Sequence, residues 1–211
     1  MVVRARRQRE REARREAILE AAGRTLARLG FAMTMEDVAA QAEVSKGTVY
    51  LYFPSKDALL AGFAERQLDT LLERAATVVS TAERGLDAVL GIVGEYLRFF
   101  ASHPNILHTL VDWLRQPEVD DSSDDFQAYR ARLQEVQAIT LRAFERGMTD
   151  GSIRGDIDPL AQSLHLWATS VGVVLIQQNA PGVKKRLTLP ADLSVLSALQ
   201  LDTARRALEA P

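Results

Sequence analysis

Hydrophobic residues recur every three or four positions along most of the chain, and they rarely alternate one by one with polar residues. The first such stripe consists of Ile18, Ala21, Ala22, Thr25, Leu26 and Leu29. This spacing places apolar side chains on one face of an α-helix. The pattern therefore predicts an all-α fold.

Residues that end and begin helices divide the first part of the chain into three short helices. Gly30 is suited to end the first helix, and Thr34 and Ser45 can each cap the start of the next two with a side-chain oxygen. Pro54 marks a further boundary. Residues 1–54 are therefore predicted to form a helix-turn-helix domain.

The remaining residues, 55–211, are predicted to form a larger helical domain. After the helix that Ser55 caps, the predicted helices cover about 84–102, 105–115, 124–149, 159–178 and 192–209. An acidic loop is expected at 118–125. The Asn179–Pro190 segment is predicted to be a second loop because it contains Pro181, Gly182 and Pro190.

Residues 45–53 have an ambiguous composition, because β-branched and aromatic residues in their middle favour a strand. As a helix, the same stretch would direct Val49 and Phe53, four positions apart, towards the core. Gly47 would then lie on the opposite side, where a glycine costs about 1 kcal/mol relative to alanine. That position makes sense if another backbone, such as that of a DNA duplex, must come close.

The composition narrows the class of protein. The chain has 211 residues, of which 47% are hydrophobic, 26% are charged and none is cysteine. The lack of cysteine excludes disulfides and thiolate metal sites, and it favours a reducing cytoplasm. The longest apolar stretch, 164–176, is interrupted by His165 and is expected to be too short to cross a bilayer. Neither secretion nor membrane insertion is predicted.

The net charge of −2 conceals an uneven distribution. Residues 1–15 contain seven arginines and two glutamates, a net charge of +5, whereas residues 51–211 carry sixteen basic and twenty-one acidic residues, a net charge of −5. A basic segment at one end indicates a polyanionic partner for that end. The alternative is a solvated arm that only improves solubility.

Residues 34–60, with the sequence TMEDVAAQAEVSKGTVYLYFPSKDALL, resemble the TetR-type transcriptional regulators. One departure is Glu43, where the family often has a glycine in the turn. The resemblance implies a DNA-binding regulator that acts as a homodimer on a palindromic operator. It further implies a repressor that a small molecule releases from the DNA. On this resemblance, residues 1–54 are the DNA-binding domain and residues 55–211 the ligand-binding and dimerisation domain.

The resemblance also implies which residues contact DNA. Lys46, Gly47, Thr48 and Leu51 match the positions nearest to base edges in the major groove, and Thr34, Tyr50, Tyr52 and Lys56 match phosphate contacts. The full predicted set is Thr34, Ser45, Lys46, Gly47, Thr48, Tyr50, Leu51, Tyr52 and Lys56. The N-terminal arginines are expected to follow phosphates or to enter the minor groove.

Dimerisation is expected on the last two long helices. Ala168 and Gly172 lie four positions apart and are small enough for two helices to approach closely, and leucines supply the rest of an apolar face. The predicted interface consists of Leu164, Ala168, Gly172, Leu193, Leu196 and Leu199. A monomer that buries this face internally is the alternative.

The family resemblance implies a pocket for an effector, which we expect to be apolar or aromatic. The predicted lining residues are Tyr96, Phe99, Phe100, His103, Trp113, Phe126, Tyr129, Leu133, Phe144 and Trp167. Taken singly, most of these side chains are also ordinary core residues. His103 and His108 are five apart and do not share a helical face, so neither a metal nor a cofactor is expected.

An enzyme is the competing class. The chain contains no nucleophile elbow, no phosphate-binding glycine loop and no histidine with an obvious acid or nucleophile beside it. We therefore do not expect an enzyme. A second alternative is a ligand-independent architectural DNA-binding protein that protein partners regulate.

Overall fold

A computed structural model describes residues 2–115, 121–187 and 192–210. Within these ranges the chain forms α-helices and two short 3₁₀ turns, at Gly30–Ala32 and Leu193–Val195, and it has no β-strand. The helices are α1 Val2–Leu29, α2 Met35–Gln41, α3 Lys46–Tyr52, α4 Lys56–Thr81, α5 Gly85–Ser102, α6 Pro104–Arg115, α7 Asp124–Thr149, α8 Pro159–Gln178, α9 Ala180–Leu187 and α10 Leu196–Leu208. The prediction of an all-α fold is confirmed.

One predicted loop is wrong. The Asn179–Pro190 segment contains α9, which begins at Ala180 and carries Pro181 and Gly182 in its first turn. A proline is tolerated there because the first backbone N–H groups of a helix have no partner inside the helix. Pro190, and Glu118 and Asp120 of the predicted acidic loop, lie outside the described residues.

The chain divides into two compact units, and the division falls elsewhere than residue 54. Unit 1 comprises Met1–Leu68 and His108–Arg132, and unit 2 comprises Asp69–Leu107 and Leu133–Pro211. The helices predicted for DNA binding thus form one unit with the first part of α4 and with residues from α6 and α7. The domain boundary at residue 54 stays a prediction.

In unit 1, α1, α2 and α3 pack around one small core. The side chains of Ile18 from α1, Val38 from α2 and Val49 from α3 are fully buried in it. Gly23 of α1 allows a close approach of α4, because a Cβ at this position would lie 2.7 Å from the ring of Phe63. Burial of this apolar surface holds the short α2 and α3, which could not persist as isolated helices.

In unit 2, α5 packs against α8 and α10. The tightest contact lies between α5 and α7, where a Cβ on Gly85 would come within 2.0 Å of the backbone nitrogen of Gly147. The side chain of Asp150 accepts a hydrogen bond from the Gly85 N–H at 2.7 Å and so satisfies one free donor at the start of α5. This bond holds the pKa of Asp150 below its usual value, together with hydrogen bonds from Ser152.

Candidate nucleic-acid interface

The start of α2 is fixed by a reciprocal pair of hydrogen bonds. The Asp37 N–H donates to the Thr34 hydroxyl at 3.2 Å, and the Thr34 N–H donates to the Asp37 carboxylate at 2.8 Å. This capping box satisfies free backbone donors at the helix start. Hydrogen bonds from the Thr34 hydroxyl and N–H lower the pKa of Asp37.

The turn between α2 and α3 requires a left-handed residue, and that residue is Glu43. Its φ is +55°, a conformation that glycine adopts at no steric cost and glutamate does not. The turn is closed by a bond from the Val44 N–H to the Ala39 carbonyl at 3.0 Å. Glu43, the departure from the family pattern, therefore occupies the position where a glycine fits best.

Ser45 starts α3, since its hydroxyl accepts a hydrogen bond from the Thr48 N–H at 3.1 Å. The helix then presents two different sides. Val49 and Phe53 have 0% exposure, whereas Leu51 is 76% exposed and Tyr50 is also exposed. The ambiguous stretch is thus a helix whose apolar residues are divided between the core and the surface.

Gly47 lies on the exposed side of α3 without any close neighbour in the chain. A Cβ at this position would meet only the Ser45 hydroxyl, at an ordinary contact distance of 3.8 Å. No contact within the fold therefore requires a glycine here. The space above Gly47 is left free for an external partner.

Lys46, which is predicted to lie near base edges, is paired within unit 1. Its ammonium donates to the Glu36 carboxylate of α2 and lies 5.7 Å from the centre of the Tyr50 ring. The hydrogen bond raises the pKa of Lys46 and lowers that of Glu36. Both side chains are about half exposed, so the pair is accessible to solvent and exchangeable.

The residues predicted to contact phosphates differ in their exposure and in their bonds within the chain. Thr34 and Tyr50 are exposed and Tyr52 is half-buried. The Lys56 ammonium donates to the Phe31 carbonyl and lies 4.1 Å above the Phe31 ring. Burial lowers the pKa of Lys56, so this side chain serves the fold as well as offering a charge.

An ion pair between Arg15 and Asp125 supports Phe53 behind α3. No pattern in the sequence predicts this pair. The Arg15 guanidinium of α1 lies 5.1 Å from the centre of the Phe53 ring and donates to the Asp125 carboxylate of α7. A Cβ on Gly62 would lie 3.1–3.2 Å from atoms of all three side chains. The end of α3 is therefore held from two other helices.

The predicted pocket residues fall into both units. In unit 1, Trp113, Phe126 and Tyr129 form an aromatic cluster with ring centres 5.3–5.7 Å apart, and the Trp113 ring N–H donates to Asp57 at 3.1 Å. Burial raises the pKa of Tyr129 to about 12. This cluster packs as the core of its unit.

In unit 2, Tyr96, Phe99, Phe100 and Phe144 are buried, whereas Leu133 is exposed. His103 and Trp167 are half-buried, and the His103 ring lies 4.7 Å from that of Phe99. The Tyr96 hydroxyl is 3.0 Å from that of Thr140, and burial raises the pKa of Tyr96. The buried side chains are thus apolar apart from a few polar groups.

Unit 2 also contains an open cavity of about 500 Å³ between α5 and α10. Its lining residues are Asp87, Leu90, Gly91, Gly94, Arg98, Leu201, Asp202 and Arg205. None of them belongs to the predicted pocket. Four charged side chains make this cavity unsuited to an apolar ligand.

The predicted dimer residues lie on α8, α10 and the turn before α10. Leu164, Ala168 and Leu199 are exposed, Gly172 and Leu196 are half-buried, and Leu193 is buried within the chain. The whole of α8, which contains the apolar stretch 164–176, is by length and composition apolar enough to cross a membrane, and 28% of its most apolar part is buried. A single helix of this kind is weak evidence for a membrane span, since helices of soluble proteins meet the same test.

The capped α2, the tight turn and the exposed side of α3 together define a helix-turn-helix DNA-binding regulator. Residues 18–63 match the sequence model of a family described as "Bacterial regulatory proteins, tetR family". The match covers 46 of the 211 residues, so this part of the chain is similar to the DNA-binding segment of that family. The named relatives of the chain are transcription regulators, in agreement with the prediction that it is not an enzyme.

The chain is similar to named regulators along most of its length. The HTH-type transcriptional repressor KstR2 of Mycolicibacterium smegmatis is 29% identical over 149 residues, which cover 69% of this chain and 70% of the relative. The structure of FadR from Bacillus subtilis in complex with stearoyl-CoA matches with a TM-score of 0.71 and 20% identity, covering 91% of this chain and 98% of FadR. The ketosteroid regulator KstR2 of Mycobacterium tuberculosis matches with a TM-score of 0.68 and 20% identity, covering 94% and 96%.

Proposed function

We propose that the protein is a transcriptional repressor that binds a palindromic operator as a homodimer in the cytoplasm and leaves it when an apolar effector binds. The observation that carries the DNA-binding role is the exposed side of α3. Gly47 has open space above it there, and Leu51 is 76% exposed although it is a leucine on a seven-residue helix. A duplex that approaches this side would cover both residues.

The reading residues in this proposal are Lys46, Gly47, Thr48 and Leu51. Lys46 donates to a guanine once it leaves Glu36, and the methyl groups of Thr48 and Leu51 contact a thymine methyl. Thr34, Tyr50, Tyr52 and Lys56 bind phosphates and set the register of α3. Ser45 contributes by capping α3.

The homodimer is proposed to form through α8 and α10. The described part of α8 contains no Asp, Glu, Lys or Arg, and Leu164 at 51% and Leu199 at 56% exposure provide apolar surface. A Cβ on Gly172 would have no neighbour within 4 Å, which leaves room for a partner helix. Leu193 adds no exposed area, since it is already covered.

The effector is proposed to be an apolar molecule that carries a hydrogen-bond donor. In unit 2 the Gln178 side-chain N–H donates to the Phe100 carbonyl at 2.9 Å, while its side-chain oxygen is buried without a hydrogen-bond partner among the described residues. A buried acceptor without a donor costs free energy that a ligand hydroxyl or amide would recover. The similar FadR structure is a complex with stearoyl-CoA, and the similar KstR2 is a ketosteroid regulator, so both names point to lipid-like chemistry.

Selection of bound duplexes from random sequence tests the DNA-binding role. We expect a palindrome with half-sites about one helical turn, or a multiple of it, apart. Lys46→Ala should relax the base preference at one position per half-site, whereas Tyr50→Phe should weaken all sequences about equally. Equal behaviour of the two variants would contradict the division of roles.

Titration of the operator complex tests the effector. The probes are stearoyl-CoA, a hydroxylated steroid and a simple phenol, and release of the DNA by one of them is the expected result. Gln178→Leu should weaken the response to that probe without altering operator affinity. Indifference to every apolar probe would instead favour the architectural DNA-binding protein.

A further inference from the structure

Residues 4–14 lie at the start of α1, outside the part of the chain that matches the family, and all of them are exposed. We propose that this N-terminal extension carries an arginine face that binds DNA phosphates flanking the sites that α3 reads. The inference rests on the proposed operator binding and adds a second, sequence-independent contact to it.

The arginines are segregated around the helix. At about 100° per residue, five of the seven arginines fall within an arc of about 100°. These five form the arginine face and are Arg4, Arg7, Arg11, Arg14 and Arg15. Glu10, Glu12 and Glu16 lie outside this arc, as do Arg6 and Arg9. One side of the extension is therefore strongly positive and the other is mixed.

Most of the arginine face has no counter-charge in the part of the chain that the structure describes. Arg15 pairs with Asp125, and outside the face Arg6 donates to Glu10 at 2.7 Å. Arg4, Arg7, Arg11 and Arg14 take part in no described ion pair. Like charges three or four positions apart destabilise a helix, so this arrangement is unfavourable until a polyanion neutralises it.

The extension is continuous with the helix that supports the reader. The same α1 carries Ile18 and Leu26 into the core that it shares with α2. At a rise of 1.5 Å per residue, Arg4 lies about 21 Å along the helix axis from Ile18. The charged groups therefore project from the core on an ordered helix.

Helical structure decides between the two roles expected for the arginines. An α-helix with its side chains is about 10–12 Å wide, whereas the minor groove is about 6 Å wide. The extension therefore cannot enter the minor groove as a helix, but it can lie along phosphates. Such contacts carry no base information, and their strength depends on salt.

The test compares two variants that each remove two positive charges from the same helix. Arg7→Gln/Arg11→Gln alters the arginine face, and the matched control Arg6→Gln/Arg9→Gln alters the other side. Affinity for the selected operator, embedded in a long duplex, is measured between 50 and 200 mM KCl. Circular dichroism verifies that both variants keep the helical content of the wild type.

We expect the slope of log K against log salt to become shallower by roughly two per protomer, or about four for the proposed dimer, in the arginine-face variant and by much less in the control. Trimming the duplex to the operator alone should remove the difference, and base preference should not change. Equal slopes for wild type and the arginine-face variant, or equal losses for both variants, would overturn the inference while leaving operator binding intact. If the wild type binds no duplex, the proposed function fails and the inference fails with it.

Discussion

Helices α3 and α8 both expose apolar side chains, but the two exposed surfaces differ in composition. On α3, Leu51 and Tyr50 stand beside a lysine, a glycine and hydroxyl groups. On α8, Leu160, Leu164 and Ile176 are exposed on a helix that has no charged residue. In the proposed function both surfaces meet a partner, and the polar neighbours of the exposed leucine distinguish the surface proposed for a duplex from the one proposed for a second protein chain.

The two sides of α3 provide the largest expected effect. Phe53→Ala removes a fully buried ring that Arg15 and Gly62 enclose, and it should lower the free energy of unfolding by about 3–5 kcal/mol. Leu51→Ala, two residues earlier, should change it by less than about 0.5 kcal/mol but weaken operator binding. Urea denaturation and duplex titration measure both quantities. A large loss of stability in Leu51→Ala would mean that this side of α3 is part of the core.

The surface of α8 is tested by Leu164→Glu, which places a charge in the proposed dimer interface. We expect monomers by analytical ultracentrifugation and an operator affinity about 100-fold lower, because the two half-sites are then bound independently. Leu114→Glu on α6 is the control, since Leu114 is 67% exposed and lies outside the proposed interface. A dimer that survives Leu164→Glu would place the interface elsewhere.

Two glycines sharpen the comparison, because neither Gly47 nor Gly172 has a close neighbour in its own chain. Alanine at either position should stabilise the isolated fold by up to about 1 kcal/mol through its helix propensity. We nevertheless expect Gly47→Ala to weaken DNA binding and Gly172→Ala to weaken dimerisation. Thermal unfolding, duplex titration and sedimentation separate these effects. Improved stability with both affinities unchanged would show that neither space is occupied by a partner.

The smallest expected effect concerns the capping box of α2. Hydrogen bonds from Thr34 lower the pKa of Asp37 in the folded protein. The ionised carboxylate therefore stabilises the fold fully above the ordinary aspartate pKa of about 3.9, and this stabilisation is lost as the pH falls through the lower pKa of the folded state. Wild type should therefore exceed Asp37→Asn in stability at pH 6, and the gap should close towards pH 3. Urea midpoints at the two pH values measure it, and a gap that widens in acid would contradict the assignment.

Local features of the sequence predicted the helices and their caps well. Thr34, Ser45 and Ser55 each cap a helix as expected, because a cap depends on residues two or three positions away. The inward direction of Val49 and Phe53 followed from their spacing. The error at α9 arose because Pro181 was taken as a helix breaker, although the first turn of a helix accommodates proline.

Contacts between distant parts of the chain could not be predicted. Arg15 and Asp125 are 110 positions apart, and no periodic pattern connects them. The ten predicted pocket residues share mainly an aromatic character. That character does not indicate that three of them belong to unit 1 and seven to unit 2. Whether they line a pocket stays a prediction.

The bond between Lys46 and Glu36 has a consequence for discrimination between DNA sequences. In the proposed DNA-reading helix the Lys46 ammonium is already hydrogen-bonded to the Glu36 carboxylate before a duplex binds. A correct base provides a hydrogen-bond acceptor that replaces Glu36 as the partner of Lys46. A wrong base provides no such acceptor, and Lys46 stays paired with Glu36. Glu36 therefore acts as a competitor built into the protein. The free energy of the Lys46–Glu36 pair is lost only on cognate DNA, so the pair lowers the affinity for cognate sites and reduces their advantage over non-cognate sites.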